Sequence, residues 1–73
     1  MAKDFSYEIT EQLGTLSASE DGNYTTEVNR IAYNGAEPKL DIRRWNKATG
    51  RMGKGITLNE AEVEALKAIL LQA

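Results

Sequence analysis

Phe5, Tyr7 and Ile9 alternate with Ser6, Glu8 and Thr10, the period-two pattern of a strand with one buried face. The pattern carries on to Leu16, with Gly14 at a bulge position, and residues 17–23 (SASEDGN) read as a loop. Tyr24–Tyr33 is rich in Thr, Val, Ile and Tyr and predicts a second strand. Asn34-Gly35 signals a tight turn, and Pro38 pushes Glu37 toward extended backbone, so NGAEP predicts a hairpin connection. Residues 39–45 form a third strand, 46–50 a loop and 51–58 a fourth strand. The last segment is a helix. Asn59 caps it, with Glu62 at capping-box spacing, and Val63, Leu66, Ile69 and Leu70 fall within an arc of about 120° on a helical wheel. Ala61, Ala65 and Ala68 form a second, shallow strip. The fold class is α+β: a four-stranded antiparallel sheet followed by one C-terminal helix, ββββα.

Alternation assigns faces. In the third strand Leu40 and Ile42 point one way, and Asp41, Arg43 and Trp45 the other. If the first pair faces the helix, Arg43 and Trp45 stand together on the open face. An aromatic ring stacks on an unpaired base, and a guanidinium meets phosphate, so the pair suits single-stranded nucleic acid. In the second strand Asn29, Ile31 and Tyr33 share one face, and Val28, Arg30 and Ala32 the other; parity does not say which is buried. A structural role competes with each of these readings. A lone Trp in so small a chain is more often a core or interface anchor.

Charge sharpens the picture. The net charge is −2, yet residues 39–54 hold Lys39, Arg43, Arg44, Lys47, Arg51 and Lys54 against Asp41 alone. Such packing presents a cationic stripe despite an acidic average. The length, 73 residues, is that of one small domain, 1–73, which buries only about 60% of its unfolded surface. With no cysteine for a disulfide and no metal motif, a homodimer is the simplest way to enlarge the core.

Several classes drop out. No histidine or cysteine is present, the carboxylates show no spacing that forces convergence, and the serines and threonines lack a base partner, so the sequence points away from catalysis. No cofactor or metal is expected. Lys54 between Gly53 and Gly55 imitates a phosphate loop, but Ala48 stands where the first glycine is required. No apolar run reaches about 18 residues and the start has no secretory core, so a cytoplasmic protein is expected.

Lys39-Leu40-Asp41-Ile42-Arg43-Arg44-Trp45, then Met52-Gly53-Lys54-Gly55-Ile56-Thr57-Leu58 and an acidic-capped helix, resembles the positive cofactor 4 family of single-stranded-DNA-binding transcriptional coactivators, most closely its bacterial YdbC-like branch. The resemblance is strongest over residues 39–70. It implies a curved sheet that dimerises into a continuous concave DNA-binding surface. It implies that Arg43 contacts DNA, that Trp45 stacks or lines the groove, and that Tyr33, Lys54 and Arg51 join them. It also places Asn29, Ile31 and Tyr33 on the open face. Ile31 stands where relatives can carry a basic residue, and Arg30 falls on the face expected to be apolar. The basic, serine-rich region of the eukaryotic coactivators has no counterpart here.

The expectation is thus a nucleoid-associated homodimer that binds single-stranded DNA, and RNA less selectively. Arg43, Arg51 and Lys54 hold phosphates, with Lys39, Arg44 and Lys47 as further candidates, and Trp45 and Tyr33 hold bases. The rival is a dimeric module that docks on a transcription or replication component, with Trp45 as its anchor.

Overall fold

The computed structural model describes residues 6–73. Four strands, β1 (Tyr7–Ala18), β2 (Tyr24–Tyr33), β3 (Lys39–Asn46) and β4 (Arg51–Leu58), precede one helix, α1 (Glu60–Gln72). They form one antiparallel meander in the order β1-β2-β3-β4, the expected ββββα architecture. Phe5, the expected start of the first strand, lies outside the described residues.

The β2–β3 turn follows from its two central residues. Asn34 and Gly35 both have positive φ, 51° and 80°, and the Ala36 N–H donates to the Tyr33 carbonyl at 2.9 Å. This is the two-residue turn whose twist matches that of flanking strands. The Asn34 side chain also accepts from the Ser6 N–H at 2.9 Å, which fastens the entry to β1 onto the turn.

β1 departs from expectation. It is out of step with β2 at three places, between Ile9 and Glu11, Gln12 and Gly14, and Thr15 and Ser17. A single bulge was expected at Gly14. Each extra residue bends the strand and increases its twist, so β1 coils around its neighbour. Pairing also continues into the expected loop, with Ser17 opposite Thr26 and Ala18 opposite Thr25.

The registers sort side chains between two faces. Tyr7 and Ile9, Asn29, Ile31 and Tyr33, Asp41, Arg43 and Trp45, and Thr57 share one face. Val28, Leu40, Ile42, Ile56 and Leu58 share the other, and α1 lies there, with Val63 beside Leu40 and Leu58. Arg30 is on this helix side, as expected; it lies 3.7 Å from Glu11 and is partly exposed.

The face without a helix was expected to be open, and its centre is not. Ile31 and Asp41 are 0% exposed, Asn29 1% and Trp45 5%. A flat single layer leaves both faces wet, so burial without a covering layer requires the sheet to curl. The bulged β1 supplies the curl and brings the Tyr7 ring to 5.9 Å from Trp45. This inner face is a core in its own right.

The helix, in contrast, is thinly attached. Asn59 and Glu62 form the expected reciprocal cap, Glu62 N–H to Asn59 Oδ1 at 2.8 Å and Asn59 N–H to Glu62 Oε1 at 2.9 Å. Yet no helical residue is buried. Val63 and Leu66 are half-covered, while Ile69 remains 64% exposed and Leu70 is exposed as well. Only half of the predicted apolar arc packs on the sheet. Ile69 borders an apolar groove of about 370 Å³ lined also by Ile42, Ile56, Leu58, Ala65 and Leu66.

Candidate nucleic-acid interface

The inner face is organised around Asp41. Its Oδ2 accepts from the Tyr33 hydroxyl at 2.7 Å, from the Thr57 hydroxyl at 2.9 Å and from Arg43 Nη2 at 2.8 Å, while Oδ1 accepts from Arg43 Nε at 2.7 Å. Four donors from β2, β3 and β4 thus converge on one carboxylate. Burial pushes the Asp41 carboxyl up; the Arg43 bonds, then those of Tyr33 and Thr57, outweigh that and hold it below its ordinary value. The same bonds push Arg43 further up, and burial together with Asp41 raises the Tyr33 phenol. The network fixes Tyr33 and Arg43 relative to each other.

Arg43 is therefore anchored. Its side chain is 14% exposed, and Nη1 also donates to the Gly53 carbonyl at 2.9 Å. β4 comes this close because Gly55 has no side chain: a Cβ there would collide with Arg43 Cβ and fall 2.6 Å from the Ile42 carbonyl oxygen. The β3–β4 ladder slips between Arg43 and Trp45, so the glycines of β4 serve a bulge and a close strand approach.

Three rings gather beside this network. Tyr7 lies 6.4 Å from Tyr33 and 5.9 Å from Trp45, tilted in both cases. Trp45, expected on an open platform, is covered because the curl of β1 sets Tyr7 against it; its Nε1 has no hydrogen-bond partner among the described residues. Tyr7 carries more of the cluster's exposed surface. Asn29 Nδ2 is likewise buried without a partner at hydrogen-bond distance, although Asn29 lies near enough to help keep the Glu27 carboxylate ionised.

The cations divide. Arg43 and Lys39 fall on the inner face by register. Arg44 and Arg51, expected to hold phosphates within one cationic stripe with Arg43, pair with Thr26 and Asn46 on the helix side, because adjacent residues of a strand point to opposite faces. Lys47, in the β3–β4 turn, reaches Glu27 Oε2 at 3.1 Å. Lys54 is exposed at the β4 bulge. The structure thus brings Arg43, Trp45 and Tyr33 together and spreads the other cations around the sheet's margins. The sequence places Asp41 on the face of Arg43 and Trp45 and Thr57 in the β4 motif, but gives neither of them, nor Tyr7, a part in the site. The alternation of β1 already marked Tyr7 as a facing residue, but only the register sets it over Trp45.

A curled four-stranded meander with one C-terminal helix, carrying rings and cations on β2–β4, defines a small ββββα domain. The chain belongs to the family of the transcriptional coactivator p15 (PC4), whose match covers residues 22–69. That is a family of DNA-binding cofactors. The match spans β2 to most of α1. The chain is also 46% identical over 67 residues to an uncharacterized protein of Treponema pallidum (strain Nichols), across 92% of this chain and 78% of that protein.

Proposed function

We propose that the protein binds single-stranded DNA, and RNA less selectively, with little sequence preference. It works as a homodimeric cofactor of transcription, or of replication and repair, at the nucleoid. The observation that carries this reading is that the family match, residues 22–69, contains every candidate cation together with Tyr33 and Trp45. Lys39, Arg44, Arg51 and Lys54 line the sheet margins and have no ion-pair partner among the described residues, so they are free to neutralise phosphates. Arg43 adds its positive charge from a fixed position, and bases stack on the exposed part of the Tyr7–Tyr33–Trp45 cluster. The apolar groove beside α1 supports a second subunit, since exposed apolar surface of this kind marks an interface.

The test is a titration with single- and double-stranded 20-mers at two salt concentrations, run beside light scattering for mass. If each subunit neutralises about three phosphates, the log–log salt slope of a dimer lies near −4 for single strands. Affinity that does not change with salt counts against the reading, and a monomeric mass removes the dimer from it. The same groove also favours a protein-docking module. Competition by a single-stranded oligonucleotide for the bound protein separates the two.

A further inference from the structure

Tyr24 opens β2 on the helix side of the sheet, in one row with Asn46 of β3 and Arg51 of β4. That row lies six residues along β3 from Leu40, where α1 packs, or about 20 Å at a strand's rise per residue. The helix therefore leaves this end uncovered. Tyr24 is 40% exposed, and the Arg44 guanidinium carbon stands 5.1 Å from the centre of its ring. Two clefts flank the pair and share both residues. One, about 250 Å³, is completed by Trp45, Arg51, Met52 and Gly53 and is mainly apolar. The other, about 170 Å³, is completed by Ser17, Ser19 and Thr26 and is mainly polar.

Arg44 and Arg51 differ from Arg30 and Arg43 in having no carboxylate partner among the described residues. An exposed ring, a guanidinium stacked on one side of it and a second free guanidinium across a small apolar cleft are the parts that hold one nucleotide. The flat ring takes the base, and the two cations take the phosphates on either side of it.

We infer that Tyr24, Arg44 and Arg51 form a nucleotide subsite at the turn end of the helix-side face, occupied by one unit of the bound single strand. The inference rests on the single-strand reading and extends it around the sheet: Arg51 and Lys54 on edge strand β4 lead from this cleft toward the inner face. The base enters the apolar cleft beside Tyr24, and the hydroxyl-lined cleft receives the sugar–phosphate of the next unit.

The test titrates fluorescein-labelled oligo-dT of about 20 nucleotides into the full chain and its variants. Tyr24→Leu weakens binding by about 5- to 150-fold, the range expected for one stacked base. Tyr24→Phe keeps the ring and binds within about twofold of wild type. Arg44→Gln weakens binding and makes the salt slope shallower by about 0.7 per phosphate lost in each subunit. Irradiation of a 5-iododeoxyuridine oligonucleotide cross-links Tyr24, read by peptide sequencing; this readout uses the wild-type chain and is independent of variant folding. Wild-type binding with Tyr24→Leu and Arg44→Gln both unchanged, and no cross-link at Tyr24, overturns the subsite and leaves the single-strand reading intact. A wild-type chain that binds no oligonucleotide at low salt overturns both.

Discussion

Arg43 and Arg44 are neighbours in sequence and opposites in structure. Arg43 points to the inner face, where Asp41 holds it through two bonds and the Gly53 carbonyl through a third. Arg44 points to the helix side, exposed, over an exposed tyrosine. The contrast extends to the faces themselves. The inner face has no covering layer yet buries an isoleucine, an asparagine, an aspartate and a tryptophan. The outer face has a helix and leaves Ile56 and Ile69 more than half exposed. In a small bulged sheet, curvature buries side chains more effectively than one thinly seated helix does. Polar groups on the curled face must then be paired, and those on the outer face stay available.

The contrast is tested most strongly at Asp41. Removing the carboxylate leaves a largely covered guanidinium and two hydroxyls without their acceptor. Asp41→Ala should lower unfolding free energy by about 3–5 kcal/mol, the range for breaking a buried pair from one side. Arg44→Ala, one of an exposed pair, should stay within about 0.5 kcal/mol. Urea unfolding followed by circular dichroism measures both. Similar losses for the two variants would erase the distinction between the faces.

A smaller effect is expected where β4 approaches β3. Gly55→Ala places a methyl inside contact distance of Arg43 Cβ and the Ile42 carbonyl, so the strands must part, at a cost of about 1–3 kcal/mol. Nothing lies within 4 Å of a Cβ built at Gly14, and Gly14→Ala should be close to neutral. Equal thermal midpoints for the two variants would mean that the close approach does not position Arg43.

The strand and helix pattern was legible because each element carries its own signal. Period-two alternation marks the strands, Asn34-Gly35 fits only a tight turn, and Asn59 with Glu62 spells out a cap. Placing Arg43, Tyr33 and Trp45 on one face needed only parity and the resemblance of the β3–β4 motif. Burial was another matter. Whether Trp45 stacks openly or lies under Tyr7 depends on three bulges in β1, and only one glycine hinted at any of them. The Asp41 network was invisible for a related reason: Tyr33, Thr57 and Arg43 meet it across three strands, and cross-strand register is a tertiary property. The cationic run misled because clustering in sequence is not clustering in space; parity in an extended strand sends Arg43 and Arg44 apart.

The smallest effect is in the pH dependence, and it belongs to the inner face. Burial alone would raise the Asp41 carboxyl, but Arg43, Tyr33 and Thr57 more than compensate, and its folded value is lowered. A carboxylate lowered by folding adds stability that is fully present above its unfolded value, about 3.9, and is lost as pH falls through the folded value. Wild-type protein should therefore lose stability as pH drops below about 4. Glu27 acts in the same sense: burial pushes it up, while Thr25 and Lys47 outweigh that and hold it low. Asp41→Asn should start less stable at neutral pH and fall less steeply in acid, and adding Glu27→Gln should flatten the curve further. Thermal midpoints at about pH 6, 4 and 3 give the slopes. Parallel curves for wild type and Asp41→Asn would mean that the ionised state of Asp41 does not hold the curled face together; its hydrogen bonds would then suffice without the charge.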